Sequence, residues 1–145
     1  MNRPTQRCNL PLLLLRAREA VMAYFRIELR RYGLTEQQWR VIRALDSLED
    51  LEAGRIAEEA FILAPSLSGV LARMEKAGLV KRFRKPCDMR KVYVKLTPYS
   101  QNLAVELRAC IEEHYKNIET LLGTDTLEVL VKGLEKAAVL PAPTE

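Results

Sequence analysis

A chain of 145 residues, 48% hydrophobic and 29% charged, is long enough to bury one real core and too ordinary in composition for a disordered or collagen-like polymer. Its three cysteines, Cys8, Cys87 and Cys110, are odd in number and widely spaced, which argues against a disulfide framework and against a C-x-x-C metal or redox site. The formal net charge is only +4, yet residues 78–97 carry seven Lys and Arg against the single acid Asp88, so the remainder is slightly acidic; solubility requires no such asymmetry.

In chain order, the tails 1–9 and 141–145 are the only segments expected to be disordered. The apolar run 10–15 is interrupted by Pro11 and followed at once by Arg16 and Arg18. It is too short to span a bilayer and no small-residue cleavage site follows, so a cytoplasmic protein without membrane contact is expected. Residues 12–32 lack glycine and proline and read as a long helix stopped by Gly33 in a left-handed cap. Its apolar positions Leu14, Leu15, Val21, Met22, Phe25, Ile27 and Leu29 spread over more than one face, which calls for a second surface, most cheaply another copy of the chain.

A second helix starts with a capping box, Thr35 with Gln38, and a staple from Leu34 to Trp39, and is expected to run to about Leu48. A third is predicted over 51–60, with Asp50 as cap and Ile56 and Ala57 turned inward. A fourth starts at Pro65, which is tolerated in a first helical turn, and ends near Ala77 before Gly78. Two short helices joined by a tight connection have helix-turn-helix spacing. Val70, Leu71 and Met74 face the core, while Ser66, Ser68, Gly69, Ala72 and Arg73 form an outer face small enough to let backbone approach a duplex, with Arg73 within reach of phosphate or a base edge.

The basic stretch divides into 79–84 and 92–97 around a tip, 85–90, and the alternation of Val92, Val94 and Leu96 with Tyr93 and Lys95 predicts a two-stranded hairpin. Such a ribbon directly after a helix-turn-helix is a wing. Asp88 and Arg90 lie two apart, so the carboxylate is expected to orient the guanidinium for a minor groove; Arg84, Lys85 and Lys91 are candidate DNA contacts, and Arg82, at the hairpin base, a structural residue. Thr97 caps a further helix with Pro98 in its first turn, striped by Leu103, Leu107, Ile111, His114, Ile118 and Leu121 or Leu122 as far as Gly123. The last helix is expected from Thr124 or Asp125, carrying Leu127, Leu130, Val131 and Leu134 inward and fading before Pro141. Both read as dimerisation helices.

Nothing supports catalysis. There is no glycine-rich phosphate loop, the lone His114 can build neither a triad nor a metal site and reads as a packing residue, and the adjacent pairs Glu58–Glu59 and Glu112–Glu113 diverge on their helices. No cofactor or metal is expected.

With these residues in place, the chain resembles the MarR family of winged-helix transcription regulators over essentially its whole length. The resemblance is carried by LTEQQWRVIRAL, by PSLSGVLARMEKAGLVKR and, most specifically, by DMRKVYVKLT, in which Asp88, Arg90 and Lys91 stand at the D-x-R-basic wing positions. Lys91 replaces a frequent second Arg, and Ser100 a frequent Gly. Within the family, the first helix NLPLLLLRAREAVMAYFR is most similar to repressors of homoprotocatechuate (4-hydroxyphenylacetate) degradation operons. The resemblance implies a mainly α fold with a small β wing, one MarR-type domain over 1–145 with a winged helix-turn-helix lobe at 34–97 and dimerisation helices at 10–33 and 98–140. It further implies a homodimer on a near-palindromic double-stranded operator and an aromatic acid as inducer. Arg16 on the first helix and Trp39, Arg40 and Arg43 on the second offer a guanidinium for a carboxylate beside an aromatic wall. The competing reading pairs Arg16 and Arg43 with acids such as Glu19 and Asp46. Two alternatives stand beside inducer control: oxidation sensed through Cys8, or response to a different phenol. A winged-helix module for protein contacts is the alternative of another class.

Overall fold

The computed structural model describes residues 8–46 and 49–144; the predicted helix end at Leu48 and most of the tail 1–9 lie outside these residues. Helix α1 spans Leu10–Arg31, with the Asn9 side chain accepting from the Leu12 amide at 3.2 Å. Gly33 follows at φ +67°, and the Leu34 amide donates back to the Leu29 carbonyl, closing the helix in a conformation that a side chain would oppose. Helix α2, Glu36–Leu45, begins with the complete capping box: Thr35 Oγ1 accepts from the Gln38 amide and Gln38 Oε1 from the Thr35 amide, each at 3.1 Å. Leu34 and Trp39, the residues flanking that cap, are both buried in the core.

The third helix departs from expectation. Leu51–Glu52 form a short strand, β1, and α3 runs only over Ala53–Glu59, with Glu52 in the cap position and no side-chain cap hydrogen bond. Asp50 is therefore not a cap; its carboxylate meets Lys85 Nζ at 3.1 Å. Helix α4, Ala64–Lys76, carries Pro65 in its first turn and ends at Gly78, φ +73°. Strands β2, Val80–Lys85, and β3, Asp88–Leu96, pair antiparallel with Lys85 opposite Asp88 and an irregularity between Phe83 and Lys85. The predicted six-residue tip thus shrinks to the two residues Pro86 and Cys87. The predicted two-stranded ribbon is a three-stranded sheet of order β1-β3-β2, because Leu51 pairs with Val94 and Glu52 with Tyr93.

Helix α5, Pro98–Leu122, is capped by Thr97, and α6, Thr124–Ala138, follows Gly123 at φ +88°. Ser100, fully buried, donates its hydroxyl to the Leu79 carbonyl, which ties the start of α5 to the end of the helix-turn-helix. One core joins the elements: Leu29 of α1, Ile42 and Leu45 of α2, Ile56 of α3, Met74 of α4, Val94 of β3 and Leu107 of α5 are almost wholly inaccessible. None of the described residues of α1 before Val21 is covered, and α6 has no buried residue. Leu130, Val131 and Leu134, expected to turn inward, are exposed, as are Leu121 and Leu122. Their apolar face meets no buried counterpart among the described residues of a single chain. No helix among the described residues is long and apolar enough to cross a membrane.

Candidate nucleic-acid interface and effector site

Helix α4 is held by Leu67, Val70, Leu71 and Met74, all buried, and this fixes what it presents outward. Ser66, Ser68, Ala72 and Arg73 are exposed and Gly69 half-exposed. A Cβ added at Gly69 would stand 3.4 Å from the Arg73 guanidinium, so the glycine leaves room for that side chain to lie along the helix. Arg73 forms no ion pair among the described residues.

On the wing the cations divide sharply. Arg82 donates from its backbone and its guanidinium to Glu75, at 3.1 and 3.0 Å, and so locks β2 onto α4 in the structural role expected of it. This hydrogen-bonded guanidinium also holds the Glu75 carboxyl below the usual carboxylate range. Arg84 donates across the hairpin to the Met89 carbonyl at 2.6 Å. Lys85, bonded to Asp50 and seated 4.1 Å from the centre of the Tyr93 ring, is held above its usual range by the Asp50 carboxylate. Lys91 lies 3.7 Å from Glu52. Arg90 keeps its guanidinium free of any hydrogen bond or ion pair among the described residues. Asp88 does not grip that guanidinium, contrary to expectation: its Oδ1 accepts from the Arg90 backbone amide at 3.0 Å. A carboxylate two residues upstream is better placed to close an Asx turn on the main chain than to follow a flexible side chain.

Among the described residues, the four assigned to a ligand stand in different surroundings. Trp39 is buried. Arg40 turns to the helix-turn-helix connection, where Nη1 donates to the Phe61 carbonyl at 3.1 Å while its Nε is buried without a partner. Arg16 and Arg43 are exposed, and neither takes the acid that competed for it: Glu19 binds Arg18 and Arg26, and Asp46 binds Arg108 at 2.9 Å. A cavity of about 210 Å³ at the α1–α2 junction is lined instead by Arg26, Leu29, Arg30, Leu34, Thr35 and Glu36.

Two polar clusters on α1 escaped the sequence reading, one at this junction and one facing α5. Glu36 accepts from Arg18 at 2.6 Å and from Arg26, which also binds Glu19 at 2.7 Å. Glu28, 6% exposed, meets His114 Nε2 at 3.0 Å and Arg31 at 3.3 Å, with the His114 ring beside Phe25 and Tyr24. The only signal for the first was an acid in the first turn of α2; for the second, a glutamate on an otherwise apolar helix face. Burial raises the Glu36 carboxyl, but the hydrogen bonds from Arg18 and Arg26 outweigh it and the net shift is downward. Glu19 is lowered chiefly by its hydrogen bond from Arg26. Carboxyls depressed on folding stabilise the fold above their ordinary value of 4.5 and cease to do so as pH falls through the depressed values. Urea unfolding should therefore show stability declining below about pH 4.5, and Glu36→Gln should make that decline shallower. An unchanged slope would remove Glu36 from the network.

A helix-turn-helix with a small-residue outer face, followed by a wing with one uncommitted arginine, is a duplex-binding arrangement, and comparison with known proteins agrees. The MarR family model matches residues 34–92. The homoprotocatechuate degradative operon repressor of Escherichia coli is 42% identical over 91% of this chain and 89% of its own length. The chain belongs to the MarR family. It is accordingly a DNA-binding transcriptional regulator and not an enzyme. Among solved structures of similar proteins, NadR in complex with 4-hydroxyphenylacetate is 38% identical, covers 97% of this chain and 100% of its own, and superposes with a TM-score of 0.78. The transcriptional repressor CouR bound to a 23-mer DNA duplex is 26% identical, covers 95% of this chain and 98% of its own, and gives a TM-score of 0.84.

Proposed function

We propose that this MarR-family chain acts as a homodimeric repressor of an operon for aromatic-acid catabolism and is released from its operator by an acid of the 4-hydroxyphenylacetate class. The observation that carries the effector half is the state of Arg16 and Arg43: both are exposed and unpaired among the described residues, their competing acids being bound elsewhere, and Arg43 follows the buried Trp39 by one turn of α2. A guanidinium is the natural receptor for a carboxylate, and it binds best where no protein carboxylate already occupies it. The relatives' names support the same ligand class: one represses a homoprotocatechuate degradative operon and another was solved with 4-hydroxyphenylacetate.

The DNA half assigns Ser66, Ser68, Gly69 and Arg73 to a major groove and Arg84, Lys85, Asp88, Arg90 and Lys91 to the wing contact, with Asp88 shaping the backbone. Within the single unit 1–145, the lobe 34–97 reads the duplex, and the helices 10–33 and 98–140 join two copies. Effector and operator couple if the ligand favours a dimer whose lobes are spaced wrongly for successive grooves, and a coupling of about 5- to 150-fold is the ordinary range. Titrating 4-hydroxyphenylacetate into the operator complex should release DNA at millimolar concentrations or below. Arg43→Ala should abolish release while leaving operator affinity without effector unchanged. No release by the wild type at millimolar levels would reject this ligand class.

A further inference from the structure

Two large apolar side chains stand in the open beside the reading helix: Phe61 is 90% exposed and Leu63 79%. Ile62 between them is buried, so the chain turns one apolar side chain inward and leaves its two neighbours outside. Their exposure is built in. Phe61 holds φ at +50°, the one non-glycine residue of positive φ among those described, a conformation that disfavours side chains and persists where the surroundings enforce it. Here the surroundings are Arg40, whose guanidinium holds the Phe61 carbonyl, and the Phe61 amide bonded to the Glu58 carbonyl at 3.2 Å.

Leu63 is the N-cap of α4 and supplies no side-chain cap, so this helix forgoes the hydrogen bond that Ser, Thr, Asp or Asn would provide there. The residues that follow on the outer face, Ala64, Pro65, Ser66 and Ser68, are small, leaving Leu63 the leading bulky group. On the major-groove edge of a duplex the one apolar feature is the C5-methyl of thymine. We propose that Leu63 is a sequence-reading residue that packs on a thymine methyl in each half of the operator, with Arg40 as the positioning residue of the turn that carries it. This rests on the reading that α4 enters the major groove.

The test takes the operator recovered by selection from random duplexes and replaces each thymine by deoxyuridine, which removes only the methyl. Wild-type protein should lose about fourfold in affinity at one thymine per half-site, the worth of one buried methyl, and Leu63→Ala should be indifferent to that replacement. Leu63→Asn, which restores a cap, should melt at a higher temperature and still ignore the methyl, separating reading from helix stability. The proposal is overturned if no thymine shows the effect in the wild type, or if the effect survives in Leu63→Ala or Leu63→Asn. Ser68→Asp keeps the two failures apart. If that variant binds operator normally, α4 does not enter the groove and the underlying reading fails as well; if it loses binding while no methyl effect exists, only the role of Leu63 is wrong.

Discussion

Replacing Arg90 by alanine is expected to weaken operator binding about tenfold at physiological salt, the loss of about 1.4 kcal/mol, and more than the same change at Arg84, Lys85 or Lys91. The reason lies in what the other cations already do. Lys85 must leave Asp50 and the Tyr93 ring to reach a phosphate, Lys91 must leave Glu52, and Arg84 is spent on the Met89 carbonyl. A cation that exchanges one anion for another gains only the difference. Arg90 has no such partner among the described residues, and its backbone is fixed by Asp88, so less freedom is lost when the guanidinium enters a narrow minor groove. Lys85→Ala and Lys91→Ala should each cost under about threefold, since each ammonium leaves an acid. Fluorescence anisotropy titrations of a labelled operator at several salt concentrations measure all three. Arg90→Ala binding within twofold of wild type would show that the Arg90 guanidinium does not enter the groove.

The same residues mark how far the chain could be read without a structure. The capping box at Thr35, the glycine stops at Gly33, Gly78 and Gly123, and the Pro65 and Pro98 starts are local devices, set by contacts three or four residues long, and they stand where the sequence puts them. Strand β1 is two residues long and exists because Val94 and Tyr93, some forty positions later, offer a free edge. No local propensity could announce it, and with it went the assignment of Asp50 as a cap. Charge behaved likewise. The basic excess at 78–97 was plain in composition, but its division into spent and unspent cations depends on Glu75, Asp50 and Glu52, which the fold alone brings to the hairpin. For the effector site, the removal of Glu19 and Asp46 from competition requires Arg26 and Arg108, the latter sixty-two residues from its partner. Pairing over such distances is set by packing, not by spacing.

Charging the exposed face of α6 should have the largest effect of all. Leu130 and Leu134 are 38% and 42% exposed in the single chain, one helical turn apart, on a helix with no buried residue. An open groove of about 440 Å³ between α5 and α6, lined by Leu127 and Val131 among others, continues that surface. The first turns of α1 add Leu10, Leu12, Leu13, Leu14 and Leu15, all exposed. Apolar surface on this scale at both ends of one chain is far more than a lone soluble domain leaves open, and a second copy covers it at no cost in new sequence. Leu130→Asp with Leu134→Asp would bury two carboxylates in that contact, so sedimentation velocity should find monomers where the wild type sediments as a dimer. The HTH lobe, sharing no core position with α6, should stay folded by circular dichroism. Operator affinity should then fall by a factor on the order of 10² to 10⁴, because two linked lobes gain an effective concentration that separate lobes lack. If the variant is monomeric yet binds the full operator as tightly as the wild type, each lobe reads its site alone. In that case an effector acting through the spacing of the two lobes would have nothing to act on.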